Sequence, residues 1–379
     1  MSTEHVFNGR WRPLFERFAR LGERIPLVEL ADLPTPVRLL AHLGNAIDVR
    51  QLWLKDDGLS SAHYGGNKVR KLELLLAAAT ARGARTVMTF GYAGSNHATA
   101  TAVHAARIGL GSISMLLPQE NAAYLRKNLL VSASVGAEIH EYPSQVALAA
   151  AAALTLVRRR VRDGSMPFVI APGGSSELGT IGFVNAAFEL AAQAGEGLLP
   201  LPRRIYAAAG SLGTVVGLGI GFAALALPVR IIGVRVVDER FVNPARAQSL
   251  WQKTVRLLRS SDASFPEVGS FADHVELRSE FFGGLYARVT EAGEEARALA
   301  SAHEGLDLDI TYTAKALACL IADARAGRIG DDPVLFWNTV SAAPADSLPA
   351  GAAPEDLPRR LQRYFDRTTG SSFAAASGK

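Results

Sequence analysis

The chain has 379 residues, 49% of them hydrophobic and 20% charged, with a formal net charge of +4. That length and apolar content suit two or three domains around a large core, and the scattered arginines with few aromatics among them argue against a nucleic-acid partner. The single cysteine, Cys319, excludes an internal disulfide and points to a reducing compartment, and none of the eight histidines pairs with another at helical spacing, so no helical zinc site is written here.

The first residues, MSTEHVFNGRWRP, hold no apolar leader segment, and a cytoplasmic location is expected. Residues 1 to about 25 are polar and aromatic without a clean period, which suggests an arm on the surface or at a subunit contact. Pro34 and Pro36 hold the next stretch extended. Val49 to Lys55 reads as a strand, and Asp56-Asp57-Gly58 after it reads as a solvated turn rather than an acid/base pair.

The stretch from Tyr64 to Ala79, YGGNKVRKLELLLAAA, carries a strong chemical signal. Gly65-Gly66 can take backbone angles closed to other residues, Asn67 suits an N-cap, and Leu72, Leu75 and Leu76 recur at helical spacing, so a helix begins with Lys68 in its first turn. The positive helix end and the neighbouring cations Arg70 and Lys71 predict a depressed amine pKa, as attack on a carbonyl requires. Only seven of the 40 Lys plus Arg residues are lysines, and arginine cannot substitute as an amine nucleophile. A solvated first-turn lysine fits the local pattern equally well.

Strand, loop and helix then alternate. Arg85 to Phe90 is a strand, followed by a helix through Ile108, a strand from Gly111 to Leu117, a helix near 121–134 and a short strand near 137–142. An Ala-rich helix from about Gln145, closed by Arg158-Arg159-Arg160, leads to the strand Pro167 to Ile170. Such units predict parallel strands with helices on both faces and ligands at the loops that follow strands. In the loop AGSNHATA, Ser95 and Asn96 offer a hydroxyl and an amide, although ordinary N-capping accounts for both. The turn APGGSSELGTIGFVNAAFEL, Ala171 to Leu190, carries the chain from one lobe to the other.

Ile205 to Leu227 is free of charge, but its five glycines suit a buried strand, turn and helix better than a membrane span. Within it, Ala209-Gly210-Ser211-Leu212-Gly213-Thr214 has the form of a phosphate cradle. It lacks a Walker lysine and the GxGxxG register, so a nucleotide is not its natural guest. A strand at 231–237, a helix within 239–262, Gly283-Gly284-Leu285-Tyr286 before a helix start near Thr290, a turn and helix over 306–327, the strand Pro333 to Trp337 and the loop Asn338 to Ser341 complete the pattern. Residues 371–379 suggest a disordered tail.

The strings GGNKVRKLE, GSNH, GGSSELGTIGF, GSLGT and LDITYTAKA occur in an order and spacing that extends over roughly Pro26 to Ala343. On them the chain resembles the D-cysteine desulfhydrase and 1-aminocyclopropane-1-carboxylate deaminase family of pyridoxal-phosphate enzymes. The resemblance implies an α/β, two-lobed fold like that of the tryptophan synthase β-subunit (PLP fold type II), with mainly parallel sheets and helices on both faces. It implies a larger cofactor-binding domain of residues 1–70 and 177–370, a smaller α/β domain of residues 71–176, and a homodimer. Lys68 would bind the cofactor covalently and move the substrate α-proton, Gly210, Ser211, Leu212, Gly213 and Thr214 would hold its phosphate, and Asn96 would hydrogen-bond the ring O3′. Ser95 would contact the substrate carboxylate or act as a base. Tyr286 and Tyr312 match tyrosines that flank the substrate, Thr313 matches the residue facing the pyridine nitrogen, and Thr339 falls in the last loop against the cofactor.

A neutral hydroxyl at the ring nitrogen leaves a weaker electron sink than a carboxylate would. Deaminase members typically carry Glu at that position and Leu where this chain has Thr339, so both positions are of the desulfhydrase type. The implied reaction is α,β-elimination and deamination of a small amino acid, D-cysteine or a related β-substituted one, to pyruvate and ammonia, with sulfide as D-cysteine's leaving group. Cyclopropane deamination is the alternative. Asn338-Thr339-Val340-Ser341 stands where relatives read HTGG, LDITYTAKA where they read LDPVYTGKA, and Leu212 where a glycine is common. Those departures leave open a cofactor-binding homologue without turnover, and the cradle alone leaves open a phosphate-binding protein without cofactor.

Overall fold

The computed structural model describes residues 11–120, 122–343 and 348–366. Its strands are β1 (Val37–Leu39), β2 (Leu52–Asp56), β3 (Thr86–Tyr92), β4 (Gly111–Leu117), β5 (Glu138–Glu141), β6 (Phe168–Ile170), β7 (Arg204–Ala209), β8 (Arg230–Arg235), β9 (Val275–Arg278) and β10 (Val334–Asn338). They divide between two compact units, the first formed by the described part of Met1–Ala78 with Gly174–Ala343, the second by Ala79–Gly173 with the described part of Pro344–Lys379.

The first unit holds a sheet of order β1-β2-β10-β7-β8-β9, antiparallel only between β1 and β2. Every residue of β10 is buried, as is β7 after Arg204, the continuous apolar run of parallel strands covered on both faces. From β7 the chain steps outward through β8 to β9, then returns with β10 on the other side of β7. The loops at the carboxyl ends of β7 and β10 therefore flank a reversal of strand order, where open α/β sheets bind ligands. The second unit's sheet, β5-β4-β3-β6, is parallel throughout and has its own reversal at β3, so the loop after Tyr92 has the equivalent location there.

The uncharged run from Ile205 becomes β7 and the helix Gly213–Ala224, and no described helix is long and apolar enough to cross a membrane. This helix lies against the helix Glu177–Gly195 through one face. A Cβ at Gly217 would stand 2.5 Å from Phe183 Cβ and 2.6 Å from the Thr180 carbonyl, and one at Gly221 would press on Ala187 Cβ and stand 2.8 Å from the Val184 carbonyl. Two glycines four residues apart thus bring the helices together at backbone distance.

Two expectations are corrected here. Residues 13–24 are no surface arm: the helices Pro13–Arg17 and Ala19–Arg24 bury Leu14, Phe18 and Leu21 in the main core, and Arg12 pairs with Glu73 at 2.5 Å. Apolar residues four and then three apart make one buried face, too short to show as a period; residues 1–10 lie outside the described residues. The larger lobe also does not run on to 370. Leu357, Leu361 and Tyr364 join Leu116, Leu125, Leu129 and Ile139 in a core of the second unit, where the Tyr364 hydroxyl donates to Glu141 Oε1 at 2.7 Å. The expected tail at 371–379 lies outside the described residues.

Gly221→Val places branched carbon against backbone that cannot yield, and is expected to cost about 1–3 kcal/mol, read as a lower urea midpoint. Gly195→Ala, where an added Cβ meets nothing within 4 Å, is the control and leaves the midpoint unchanged or higher. Equal midpoints for wild type and Gly221→Val would remove the interlock from the account of helix packing.

Candidate active site

The turn after β2 is built on a buried carboxylate. Asp57 is fully buried, contrary to the solvated turn read from the sequence, because it faces a cation held behind the sheet. Arg70 donates to it from Nε at 3.0 Å and from Nη2 at 2.8 Å, Thr35 from Oγ1 at 2.9 Å and Trp337 from Nε1 at 2.9 Å. Arg70 also reaches both oxygens of Glu189 at 2.9 Å, and Lys55 Nζ donates to Glu189 Oε1 and Gln193 Oε1 at 2.6 Å. Two cations and two anions balance without solvent. Burial works to raise the Glu189 carboxyl, but Arg70 and Lys55 overcome it and hold it below its ordinary range.

This cluster sets the loop that carries Lys68. The Gly66 amide donates to the Asp57 carbonyl at 2.8 Å, and Ser60 Oγ to the Gly66 carbonyl at 2.9 Å. Gly66 has φ +93°, and a Cβ there would stand 2.8 Å from the Thr339 carbonyl, so this position requires glycine. The Asn67 amide donates to the same Thr339 carbonyl at 3.2 Å, which ties the lysine loop to the loop after β10.

Lys68 opens the helix Lys68–Ala81. Its Nζ donates to Asn67 Oδ1 at 2.7 Å, and Asn67 Nδ2 in turn donates to Thr214 Oγ1 at 2.9 Å, so one amide links the lysine to the glycine-rich loop. Burial lowers the Lys68 amine to about 8, with Asp309 opposing the shift. Direction agrees with the sequence argument, but the cause does not. Arg70 is neutralised by Asp57 and Glu189, and the repulsion between Lys68 and Lys71 appears as a lowering of Lys71, after burial.

The Gly210–Thr214 loop leads into the helix Gly213–Ala224. Leu212 takes φ +69°, an unusual angle for a branched side chain, where the resemblance notes a common glycine. Two residues that sequence reasoning passed over complete this loop. Ser175 Oγ donates to Ser211 Oγ at 2.9 Å while accepting from the Gly213 amide at 3.1 Å and from Lys71 Nζ at 3.0 Å. Lys71 Nζ is also 2.8 Å from where a Gly213 Cβ would stand. Lys71 is three residues beyond Lys68 and so shares its helix face, a spacing legible in the sequence.

Tyr312 closes the other side. Its ring centroid is 5.9 Å from Lys68 Nζ, its hydroxyl is 2.6 Å from that of Tyr286, and a Cβ at Gly210 would stand 3.0 Å from its ring. Lys315 Nζ donates to the Phe282 carbonyl at 2.7 Å and anchors the segment leading to Tyr286. Thr313, fully buried, begins the next helix, and Thr339 contributes its carbonyl as described.

The first unit thus brings together Lys68, Gly210 to Thr214, Tyr286, Tyr312, Thr313 and Thr339. Ser95 and Asn96 belong to the second unit. There Ser95 Oγ accepts from the Ala98 amide at 3.3 Å as an N-cap, and Asn96 Oδ1 accepts from Asn128 Nδ2 at 2.8 Å. Among the described residues no group of three or more His, Cys, Asp and Glu is arranged to hold a metal ion.

Comparisons with known proteins give the family of the chain. A family model described as "Pyridoxal-phosphate dependent enzyme" matches residues 28–340. The chain is similar to a putative 1-aminocyclopropane-1-carboxylate deaminase of Pyrococcus horikoshii, 33% identical over 85% of this chain and 93% of that one. It is similar to a D-cysteine desulfhydrase of Salmonella schwarzengrund, 34% identical over 85% of this chain and 95% of the relative. A solved structure described as an ACC deaminase homologue superposes with a TM-score of 0.75 at 32% identity, over 86% of this chain and 94% of that one.

In the cofactor-free protein, labelling of Lys68 by an amine-directed reagent, followed by peptide mass spectrometry, should rise with pH through a midpoint of about 8, because the free amine loses its proton there rather than near 10.5. Asp309→Asn removes the opposing charge and moves that midpoint lower; a midpoint near 10.5 would contradict the burial argument. Asp57→Ala leaves Arg70 and Lys55 sharing the one carboxylate of Glu189, a buried positive charge in excess, and is expected to cost roughly 3–5 kcal/mol of stability, measured by denaturant unfolding.

Proposed function

This chain belongs to the pyridoxal-phosphate dependent enzymes, with the type II fold of that family, and from that premise we propose that it eliminates the β-substituent of a small amino acid, D-cysteine first among them. Its residues fit the cofactor. The amine at Lys68 is desolvated, and the hydroxyls of Ser175, Ser211 and Thr214 stand at the glycine-rich helix start, with the buried Lys71 Nζ as a further donor beside Gly213. That donor set suits a phosphate, and a side chain at Gly213 would fill it.

Lys68 would hold the cofactor covalently, and Gly210, Ser211, Leu212, Gly213, Thr214, Ser175 and Lys71 its phosphate. When bound, pyridoxal phosphate supplies an electron sink for the charge left on a substrate carbon that loses its proton. Lys68 Nζ would also be the base that takes the α-proton, oriented by its hydrogen bond to Asn67 Oδ1. Tyr286 and Tyr312, joined through their hydroxyls, flank the substrate. For Ser95 and Asn96 the proposed roles are those the resemblance implies, substrate carboxylate or base for the first and ring O3′ for the second. With D-cysteine the Cβ–S bond breaks, sulfide and ammonia leave, and water supplies the oxygen of pyruvate.

The observation that carries this reading is the chain of contacts from Lys68 through Asn67 to Thr214, which couples a depressed amine to a built anion site. Thr313 and Thr339 are the residue types of the desulfhydrase rather than of the deaminase, while the name borne by the Pyrococcus relative keeps the second as an alternative. A homodimer and a cytoplasmic location belong to the same reading, supported by the resemblance and by the single buried Cys319.

Purified wild type should show a visible absorption band that Lys68→Ala lacks, and should release sulfide and pyruvate in equal amounts from D-cysteine, with the variant releasing neither. Ammonia from 1-aminocyclopropane-1-carboxylate with no sulfide from D-cysteine would transfer the proposal to the deaminase. A lysine-dependent band without product from either would point to a homologue without turnover.

A further inference from the structure

Asp309 lies four residues before Thr313, at the turn that starts the helix Thr313–Arg325, and its carboxylate is enclosed by donors. Oδ1 accepts from the amides of Thr311 at 3.0 Å and Tyr312 at 2.6 Å, and Oδ2 accepts from the amide of Thr313 at 3.2 Å. The remaining contact is Thr313 Oγ1 to Oδ2 at 2.8 Å. Three of these four partners are amides and can only donate. Burial, the largest influence, leaves the Asp309 carboxyl raised above its ordinary value, and the four donors oppose that shift. Only Thr313 Oγ1 could receive a carboxyl proton, and it already accepts from the Asp309 amide at 2.9 Å, so the ionised form is the one that satisfies all four donors.

That fixes the polarity of the hydroxyl. With Asp309 ionised, the Thr313 proton points at Oδ2, in preference to the Asp309 carbonyl at 3.3 Å. Thr313 Oγ1 also accepts from the Asp309 amide at 2.9 Å. A hydroxyl has one proton and two lone pairs. One lone pair is left, and toward anything else Thr313 can only accept.

We infer that Asp309 is a positioning residue: its carboxylate takes the hydroxyl proton of Thr313, so Thr313 meets the ring nitrogen of bound pyridoxal phosphate as an acceptor and keeps a proton on that nitrogen. The inference rests on the proposed function for one point, that Thr313 faces the ring nitrogen. It reverses what a lone threonine implies. A free hydroxyl would donate to the nitrogen and leave a weak sink, whereas this one, backed by a carboxylate, gives a protonated ring and a strong sink, with the negative charge one residue removed from the cofactor.

The test is the nitrogen resonance of holoprotein loaded with cofactor carrying 15N in the ring, recorded at neutral pH beside the visible spectrum. Wild type should show the protonated ring nitrogen. Asp309→Asn keeps an oxygen for the Thr311 and Tyr312 amides but offers an N–H to Thr313, which turns the hydroxyl round, and its ring nitrogen should shift to the unprotonated position. Thr313→Val should do the same, and Thr313→Ser should restore the wild-type resonance. These signals separate a proton-holding role from mere helix capping, because all three variants retain a capped or apolar helix start and are read in the resting protein. An unprotonated nitrogen in wild type, or a protonated one in Asp309→Asn or Thr313→Val, overturns the inference while a Lys68-dependent visible band leaves the cofactor reading intact. Absence of that band from wild type after loading overturns both.

Discussion

Everything the site does depends on a charge balance hidden behind it. Lys55 and Arg70 face Asp57 and Glu189 with no access to water, and each is satisfied only by the others and by Thr35, Gln193 and Trp337. Charges in that setting are costly unless matched. The matching residues come from the segment before β1, from β2, from the turn after it, from two helices and from β10. They agree on a single placement of the helix that begins at Lys68, two residues before Arg70. The reactive amine is therefore located by groups that never touch it.

In front of that cluster the same physics has a different use. Lys68 and Lys71 are one helical turn apart, and burial is the leading cause of the lowered pKa of both. Their partners differ. Lys68 has a side-chain amide and a nearby carboxylate, while Lys71 has a serine hydroxyl and the start of a glycine-rich helix. One amine stands beside a side-chain amide and the other beside an amide-lined loop, so a single helix face presents a nitrogen to each of the two loops. The strand reversal between β7 and β10 provides the space for them.

Much of this was legible in the chain. Strand and helix alternation, the reactive lysine, the loop after β7 and the buried character of 205–227 all follow from local pattern, because each is written within about twenty residues. The charge cluster was not legible, since Thr35, Asp57, Glu189 and Trp337 meet only through sheet topology, and Asp57 in isolation reads as a turn residue. Ser175 stood inside a quoted motif, yet its role appears only when the Ser211 loop is beside it. Asp309 was one letter of LDITYTAKA; a capping residue four positions before Thr313 is ordinary, and its effect on the hydroxyl is a matter of proton direction that no pattern records. Residues 13–24 and 348–366 escaped because their apolar faces are shorter than a recognisable period.

The position of β10 has a consequence for how the protein is made. It is the last strand of the first unit's sheet to be synthesised, yet it lies between β2 and β7 rather than at an edge. Until residue 338 has left the ribosome, β2 and β7 have no partner on their facing sides, and their apolar, unpaired edges wait through the whole of the intervening synthesis. The second unit waits longer, because Leu357 to Tyr364 supply part of its core. The first unit cannot finish folding before residue 338 has emerged, nor the second before residue 364, so both mature from long-range contacts, with the slow and exposed early history that such contacts impose.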